Sequence, residues 1–120
     1  MFKCLYVSEI YSVKQEQLNI FATASAGTGK IHTDPEYAKN TPFGKTLVHG
    51  LLLMGFIEKE LNNRYKDWSS LGDLNITFIK PIKVNEHFQI FLEETENNLI
   101  NIQLKKDGED AIVGSAYMKS

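Results

Sequence analysis

The segment 25–35, SAGTGKIHTDP, contains residue types suited to two kinds of chemistry. Its glycines and lysine suggest a loop that binds phosphate, whereas His32 has an imidazole that can accept or donate a proton near neutral pH. A phosphate-binding loop requires a glycine, four residues of any type, and then Gly-Lys-Ser/Thr. When Gly29-Lys30 is placed in this motif, the first glycine position is Ala24 and the hydroxyl position is Ile31. The spacing excludes the phosphate-binding loop and leaves proton transfer at His32 as the hypothesis.

The residues around His32 resemble a known family signature over about 30 positions. The segment 21–53, FATASAGTGKIHTDPEYAKNTPFGKTLVHGLLL, is similar to that of the MaoC-like dehydratases, the family that includes (R)-specific enoyl-CoA hydratases. The family pattern is roughly Phe-Ala, a small residue, Gly-Asp-x-Asn-Pro-x-His, Asp-x-x-Tyr-Ala, Thr-x-Phe-Gly and His-Gly. The positions that match it without a gap are Phe21-Ala22, Ile31-His32, Asp34 to Ala38, Thr41 to Gly44 and Val48 to Gly50.

The resemblance implies roles for two residues in adding water to an acyl thioester or removing it. His32 corresponds to the histidine that acts on a water molecule as general acid and base, and Gly50 to the glycine whose backbone N–H faces the thioester carbonyl. Hydration of a 2-enoyl thioester passes through an enolate, which the N-terminus of a helix stabilises as the charge forms. The resemblance also implies a coenzyme A or acyl carrier protein thioester as the substrate, with no bound cofactor.

The sequence departs from the family pattern where the second catalytic side chain is expected. The catalytic aspartate falls on Gly27, the asparagine on Gly29 and the proline on Lys30. Glycine supplies no proton, although the backbone of Gly27 and Gly29 leaves space for water or a substrate branch. Loss of one positioned acid–base partner typically lowers the rate roughly 10²- to 10⁴-fold. Three alternatives stay open: His32 acts alone, another acid substitutes, or the site binds thioesters without turning them over.

Other charged residues give weaker hypotheses. The resemblance implies a fold with a long central helix, the hot-dog fold, and thioesterases of this fold often use a carboxylate on that helix. Glu58 is therefore the candidate for a thioesterase. Both Glu58 and Glu60 are, however, expected at the solvated end of the helix. Asp34 precedes Pro35 at a helix start and is expected to cap that helix. Lys80 is a candidate ligand for the phosphates of coenzyme A. The three histidines and single cysteine of the chain lack zinc-ligand spacing, so no metal is expected.

The pattern of apolar residues predicts an α+β fold in one domain, residues 1–120. A strand is expected at 4–12, a helix around Leu18, a loop at 25–33, and a central helix, apolar all round from 47 to 57, wrapped by other structure. Four antiparallel strands then follow, in DLNITFIK, HFQIFLEE, LINIQLKK and AIVGSAYM, with a tight turn at Asp107-Gly108. The resemblance implies the hot-dog fold, in which an antiparallel sheet wraps a long helix.

The composition of the chain bears on whether it binds nucleic acid or a membrane and on its expected cellular location. The net charge of −2 gives no basic footprint for nucleic acid, and no apolar run is long enough to cross a membrane. Cys4 is the single cysteine, so an internal disulfide is impossible, a cytoplasmic location is expected, and Cys4 is predicted to lie in the core. The resemblance further implies a homodimer or higher homo-oligomer with sites near the subunit interface.

Overall fold

The computed structural model describes residues 4–25 and 29–118, apart from the side chain of residue 97. These residues form five α-helices and five strands in chain order, and a short 3-10 turn (Glu96–Asn98) precedes the fourth strand. They are β1 (Leu5–Val7), α1 (Gln15–Ser25), α2 (Lys30–Thr33), α3 (Pro35–Lys39), α4 (Gly50–Arg64), α5 (Trp68–Leu71), β2 (Gly72–Phe78), β3 (Gln89–Glu94), β4 (Leu99–Lys106) and β5 (Glu109–Met118). None of the described helices is both long and apolar enough to span a membrane.

The strands form one antiparallel sheet in the order β1-β3-β4-β5-β2, which places β1 and β2 at its two edges. The β4–β5 hairpin turns at Asp107-Gly108, where both residues have positive φ, 51° and 77°. A two-residue turn with two positive φ angles matches the twist of the flanking strands, and glycine accommodates it without strain. The predicted tight turn is therefore confirmed, as are the four strands that follow the central helix.

The core lies between one face of this sheet and α4. Leu53, Ile57 and Leu61 recur at helical spacing along α4 and are at most 2% exposed. They pack against alternate residues of the strands, which are Ile90, Leu92, Ile100, Ile102, Leu104, Ile112 and Ala116. The central helix is wrapped by the sheet as predicted, and Leu51, in its first turn, is 68% exposed on the side that the sheet does not cover. The sheet covers one side of α4, and the first-turn side faces outward.

A short pairing immediately before α4 fixes where that helix begins. The amide of Val48 donates to the carbonyl of Ile82 at 2.8 Å, and the amide of Val84 donates to the carbonyl of Thr46 at 2.9 Å. Leu47 and Lys83 form the antiparallel bridge between these two bonds. Residues 82–84, which follow β2, therefore hold residues 46–48, which lead into α4. This pairing positions the N-terminus of the helix.

Two residues at the other end of α4 differ from their predicted environments. Cys4 is exposed beside β1 rather than buried, and the guanidinium Nη2 of Arg64 lies 3.1 Å from its sulfur. Glu60 is only 2% exposed, although it was expected at the solvated end of α4. The hydroxyls of Tyr6 and Tyr11 donate to its two carboxylate oxygens at 3.3 and 3.0 Å. The tyrosines thus replace the water that Glu60 was expected to contact.

Candidate active site

His32 lies on a single helical turn, α2, rather than in the irregular loop predicted for residues 25–33. Its backbone N–H donates to the carbonyl of Gly29 at 3.0 Å, and Gly29 is the residue that precedes the turn. The next helix, α3, begins as predicted: a carboxylate oxygen of Asp34 accepts from the amides of Glu36 and Tyr37 at 3.1 and 3.2 Å. Asp34 is therefore a helix cap, and the two short helices fix the direction of the chain around His32.

The imidazole of His32 is oriented by a backbone carbonyl. Its Nδ1 lies 2.8 Å from the carbonyl oxygen of Leu47, and the amide of Leu47 donates to the carbonyl of Ile31 at 2.9 Å. A carbonyl oxygen only accepts hydrogen bonds, so this contact assigns the ring proton to Nδ1. In the neutral ring, Nε2 then has a free lone pair and acts as the acceptor. The ring of this half-buried residue is thus set up as a proton acceptor at Nε2.

A second imidazole connects His32 to the start of α4. The rings of His32 and His49 are stacked, with centroids 3.9 Å apart and planes 19° from parallel. Phe21 of α1 contacts the ring of His49 edge-on at a centroid distance of 4.9 Å. His49 is 6% exposed and is the N-cap residue of α4, so the residue after it is Gly50. The stack therefore brings the His32 ring next to the residue that begins the central helix.

The N-terminus of α4 presents backbone donors. The carbonyl of His49 accepts from the amides of Leu52 and Leu53, each at 3.1 Å, which is the first turn of the helical ladder. The N–H groups of Gly50 and Leu51 precede that ladder, and helix geometry gives them no intrahelical carbonyl. The aligned dipoles of this 15-residue helix favour negative charge at the same end. The arrangement suits a ligand oxygen that gains negative charge.

Phe78, the last residue of β2, covers Gly50. A Cβ built on Gly50 would lie 3.1 Å from Cζ and 3.2 Å from Cε1 of the Phe78 ring. These distances are tighter than ordinary van der Waals contact, so the ring occupies the space that a larger residue would need. Phe78 is itself 51% exposed. Neither Phe78 nor the Leu47 carbonyl was identified from the sequence, where alternation indicates only that Phe78 and Leu74 share a face.

Three further residues are predicted from the sequence to bind the substrate: Gly27, Gly29 and Lys80. Gly27, where the family pattern has its aspartate, lies outside the described residues. Gly29 is exposed, and a Cβ built on it would make an ordinary 3.7 Å contact with Cδ2 of His32. Lys80 forms an ion pair with Glu109, with both side chains about half exposed or more. The Lys80 ammonium lowers the pKa of the Glu109 carboxyl through this hydrogen bond. A phosphate must therefore compete with Glu109 for Lys80.

Glu58 is remote from this cluster. It follows Gly50 by eight residues, which corresponds to about 12 Å along a helix at 1.5 Å per residue. One of its carboxylate oxygens accepts from the indole Nε1 of Trp68 at 2.6 Å, and Trp68 is buried. Glu58 therefore serves as the acceptor for a buried indole donor. Among the residues that the structure describes, no group of three or more His, Cys, Asp or Glu side chains is arranged to hold a metal ion.

Comparison with known proteins gives a family match over most of the chain. The sequence profile described as MaoC like domain matches residues 5–114. The chain is 34% identical over 58 residues to 3-hydroxyacyl-thioester dehydratase Z of Mycobacterium tuberculosis, which covers 48% of this chain and 38% of that protein. It is 25% identical over 76 residues to the (R)-specific enoyl-CoA hydratase of Rhodospirillum rubrum, which covers 62% of this chain and 53% of that protein. The matched segments thus span about half or less of these two relatives.

Solved structures confirm the predicted hot-dog fold. An R-hydratase of Pseudomonas aeruginosa in the unliganded form superposes with a TM-score of 0.77 and 21% identity, covering 99% of this chain and 81% of that one. An (R)-hydratase from A. caviae involved in PHA biosynthesis has a TM-score of 0.76 and 19% identity, covering 98% and 94%. At these identities the likeness concerns the fold alone, and it extends over nearly the whole chain.

Proposed function

Because the chain belongs to the MaoC-like domain family, we propose that it is an acyl-thioester hydro-lyase, which interconverts a 2-enoyl thioester and a 3-hydroxyacyl thioester. Relatives are named as a 3-hydroxyacyl-thioester dehydratase and an (R)-specific enoyl-CoA hydratase. Both names describe the same chemical step in opposite directions. The observation that carries the proposal is the orientation of His32: Nδ1 is held by the Leu47 carbonyl, and the ring stacks on the residue before Gly50.

In the proposed hydration, His32 carries one proton through the reaction. A water molecule hydrogen-bonded to Nε2 gives up a proton to it while the water oxygen forms a bond to C3 of the enoyl group. The electron pair of the C2–C3 double bond moves toward the thioester, and negative charge develops on the carbonyl oxygen. The imidazolium then returns its proton to C2, which regenerates the neutral ring. Dehydration follows these steps in reverse.

The N-terminus of α4 is proposed to stabilise the intermediate. A thioester oxygen that accepts from the N–H of Gly50 meets the positive end of the helix dipole at the moment when it gains charge. Such donors typically contribute a factor of about 10²–10³ to the rate. The thioester itself acidifies C2, so the proposed reaction needs no bound cofactor. Coenzyme A and acyl carrier protein are the two carriers consistent with the family resemblance, and Lys80 is the proposed phosphate contact.

Gly27 favours a second candidate function, a module that binds acyl thioesters without turning them over. The family pattern has a catalytic aspartate at this position, and glycine has no side chain that can orient water. A loss of roughly 10²- to 10⁴-fold is the usual consequence of removing such a group. In that case the same site holds the thioester carbonyl at Gly50, and turnover occurs in an active partner.

We also propose that the chain forms a homodimer through the edge that contains β2. This strand pairs with β5 on one side, and no described strand pairs with its other side. Phe78 and Ile79 lie at the end of this edge, and Leu51 follows Gly50, against which the Phe78 ring packs. We call these three residues the apolar patch; they are 51%, 51% and 68% exposed. An unpaired edge with exposed apolar side chains is a template for pairing with another copy about a two-fold axis.

One assay separates the proposed functions. The chain is mixed with a short 2-enoyl-CoA, and three signals are followed: absorbance of the conjugated double bond, release of free thiol, and binding at equilibrium. Loss of the double bond without thiol release supports the hydro-lyase. Binding without either change supports the module and contradicts the hydro-lyase. Thiol release supports a thioesterase, for which Glu58→Gln, assayed beside the parent chain, is the matched variant.

A further inference from the structure

We propose that Gln15 is a positioning residue that holds His32 in its catalytic orientation, an inference that rests on the proposed role of His32. The side-chain amide of Gln15 connects two segments that are distant in sequence. Its Nε2 donates to the backbone carbonyl of His32 at 3.0 Å, and its Oε1 accepts from the hydroxyl of Thr46 at 2.5 Å. Thr46 is 1% exposed. Gln15 therefore bridges the histidine turn and the segment that leads into α4.

The chemistry of its partners fixes which way the amide of Gln15 points. The carbonyl oxygen of His32 only accepts, so the group that faces it must be the NH₂ end of the amide. The same nitrogen lies 3.0 Å from Oδ1 of Asn19, one turn further along α1. The oxygen end is then left for the hydroxyl of Thr46, which is able to donate. A side chain without both a donor and an acceptor cannot make the two contacts.

The side chain of Gln15 links the same two segments as the hydrogen bond that orients the imidazole. Thr46 immediately precedes Leu47, whose carbonyl accepts from Nδ1 of His32. The amide of Leu47 in turn donates to Ile31, the residue before His32. Gln15 thus adds a link between the same two segments, next to the bond that assigns the proton to Nδ1. When this link is lost, the two segments gain freedom to separate and the ring gains freedom to turn.

The element that carries Gln15 is itself anchored. Gln15 is the first residue of α1, and Leu18 and Ala22 bury one face of this helix at 0% and 2% exposure. Phe21 of the same helix contacts the ring of His49, on which His32 stacks. One helix therefore supports the imidazole pair in two ways: Phe21 packs against His49, and Gln15 holds the backbone of His32.

Two substitutions separate positioning from folding. Gln15→Glu keeps the length of the side chain and an acceptor for Thr46, but it places a carboxylate oxygen against the His32 carbonyl. Gln15→Met keeps the approximate shape and removes both hydrogen bonds without adding a charge. Gln17→Glu is the matched control on the same helix, because Gln17 Oε1 accepts from the amide of Lys14 at 2.8 Å and a carboxylate retains that role. Thermal unfolding of each variant shows whether it is folded.

The first readout is the nitrogen NMR spectrum of the His32 imidazole, which is independent of any activity. We expect the parent chain and Gln17→Glu to show the proton on Nδ1, exchanging slowly with solvent. In Gln15→Glu and Gln15→Met we expect that proton to exchange at least about tenfold faster, or to be shared between the two nitrogens. Unchanged spectra in both folded Gln15 variants would overturn the inference, whatever the activity of the parent chain.

The second readout is the kinetics of 2-enoyl-CoA hydration. Misplacement of a catalytic group by about 1 Å is able to lower a rate about 10²-fold, so we expect kcat to fall about 10- to 100-fold with KM within about twofold. A fall caused only by weaker substrate binding would raise KM and contradict positioning. If the parent chain hydrates nothing while the NMR change is present, the proposed function fails and the positioning of His32 by Gln15 stands.

Discussion

At the scale of single residues, the two nitrogens of His32 have separate tasks, and substitution tests them separately. In His32→Asn, the side-chain NH₂ occupies about the place of Nδ1 and is able to donate to the Leu47 carbonyl, whereas no group replaces Nε2. We expect a folded protein whose kcat/KM for a 2-enoyl-CoA is roughly 10²- to 10⁴-fold lower. The measurement is the rate at which the conjugated double bond disappears.

The matched control for this prediction is His87→Asn, because His87 is exposed. It is expected to keep the parent rate, and its thermal unfolding reports any general effect of the change. A His32→Asn variant that retains the full rate would contradict the role of Nε2 as the proton acceptor.

A second prediction concerns Tyr11, whose hydroxyl donates to the buried carboxylate of Glu60 at 3.0 Å. Burial first, and then the hydrogen bond to Glu60, raise the pKa of Tyr11 from 10.0 to about 12. Because the folded state holds the proton more tightly, this contribution to stability is present below pH 10. It is lost as the pH rises from about 10 through 12. Tyr11→Phe is therefore expected to weaken the alkaline loss of stability.

The same change leaves one oxygen of Glu60 without its tyrosine donor. An unsatisfied buried acceptor typically costs about 1–3 kcal/mol, so we expect Tyr11→Phe to be less stable than the parent at pH 8. Urea unfolding followed by the fluorescence of Trp68, at pH 8 and pH 11, measures both effects. Tyr37→Phe, at a position 48% exposed, is the control and should change neither. If the free energy of unfolding changed equally between pH 8 and pH 11 in Tyr11→Phe and the parent, Tyr11 would not be the source of the alkaline loss of stability.

At the scale of elements, the contact between α4 and the end of β2 predicts an energetic coupling between Gly50 and Phe78. The three atoms nearest to a Cβ at position 50 all belong to the Phe78 ring, whereas a Cβ at Gly55, on the same helix, lies in open space. Alanine is favoured over glycine in a helix by about 1 kcal/mol, so Gly55→Ala should stabilise the chain. Gly50→Ala should stabilise it less, because the ring must move.

A double-mutant cycle measures this coupling. In the Phe78→Ala background we expect Gly50→Ala to become more favourable by about 0.5–1 kcal/mol, at the low end of the range found for residues in contact. Gly55→Ala should have the same effect in both backgrounds. Urea unfolding gives the four free energies for each pair. A coupling within error of zero for Gly50 and Phe78 would show that the ring does not determine which residue position 50 accepts.

The helices and strands that were predicted correctly depend on residues that are close together in the chain. The cap at Asp34 and the turn at Asp107-Gly108 were predicted because each depends on residues that are adjacent in the chain. The four later strands were predicted because alternation of apolar side chains repeats along each strand. The resemblance to the family implies that His32 and Gly50 act on the same thioester, a relation between distant positions that local patterns do not contain.

The features that the sequence did not predict depend on contacts between distant segments. Gln15 joins positions 32 and 46, and nothing in the residues around it distinguishes it from the other polar residues of α1. Glu60 was expected in solvent because acidic side chains usually are, and its burial depends on Tyr6 and Tyr11 some 50 residues earlier. Periodicity describes one element at a time, so it cannot indicate which polar side chain meets another element.

At the scale of the whole molecule, the candidate site lies at the boundary of the fold rather than within its core. His32 is half-buried, and the first turn of α4 ends in a patch where Leu51, Phe78 and Ile79 are each at least 51% exposed. The buried residues of α4 occupy the opposite face. A second copy that pairs along β2 would cover the patch and remove water from the vicinity of Gly50. Association and site formation are therefore expected to be coupled.

Leu51→Glu tests this interface without weakening the folded monomer. Leu51 is 68% exposed, and a negative charge in the first turn of a helix is favourable to the helix dipole. The same carboxylate is unfavourable when it is buried against a second copy. We therefore expect the parent chain to sediment as a dimer and Leu51→Glu as a folded monomer, with thermal stability lowered only by the loss of association. Ile20→Glu, at a position 64% exposed on α1, is the control and should remain dimeric. A parent chain that sediments as a monomer, or a Leu51→Glu variant that remains dimeric, would exclude this edge as the interface.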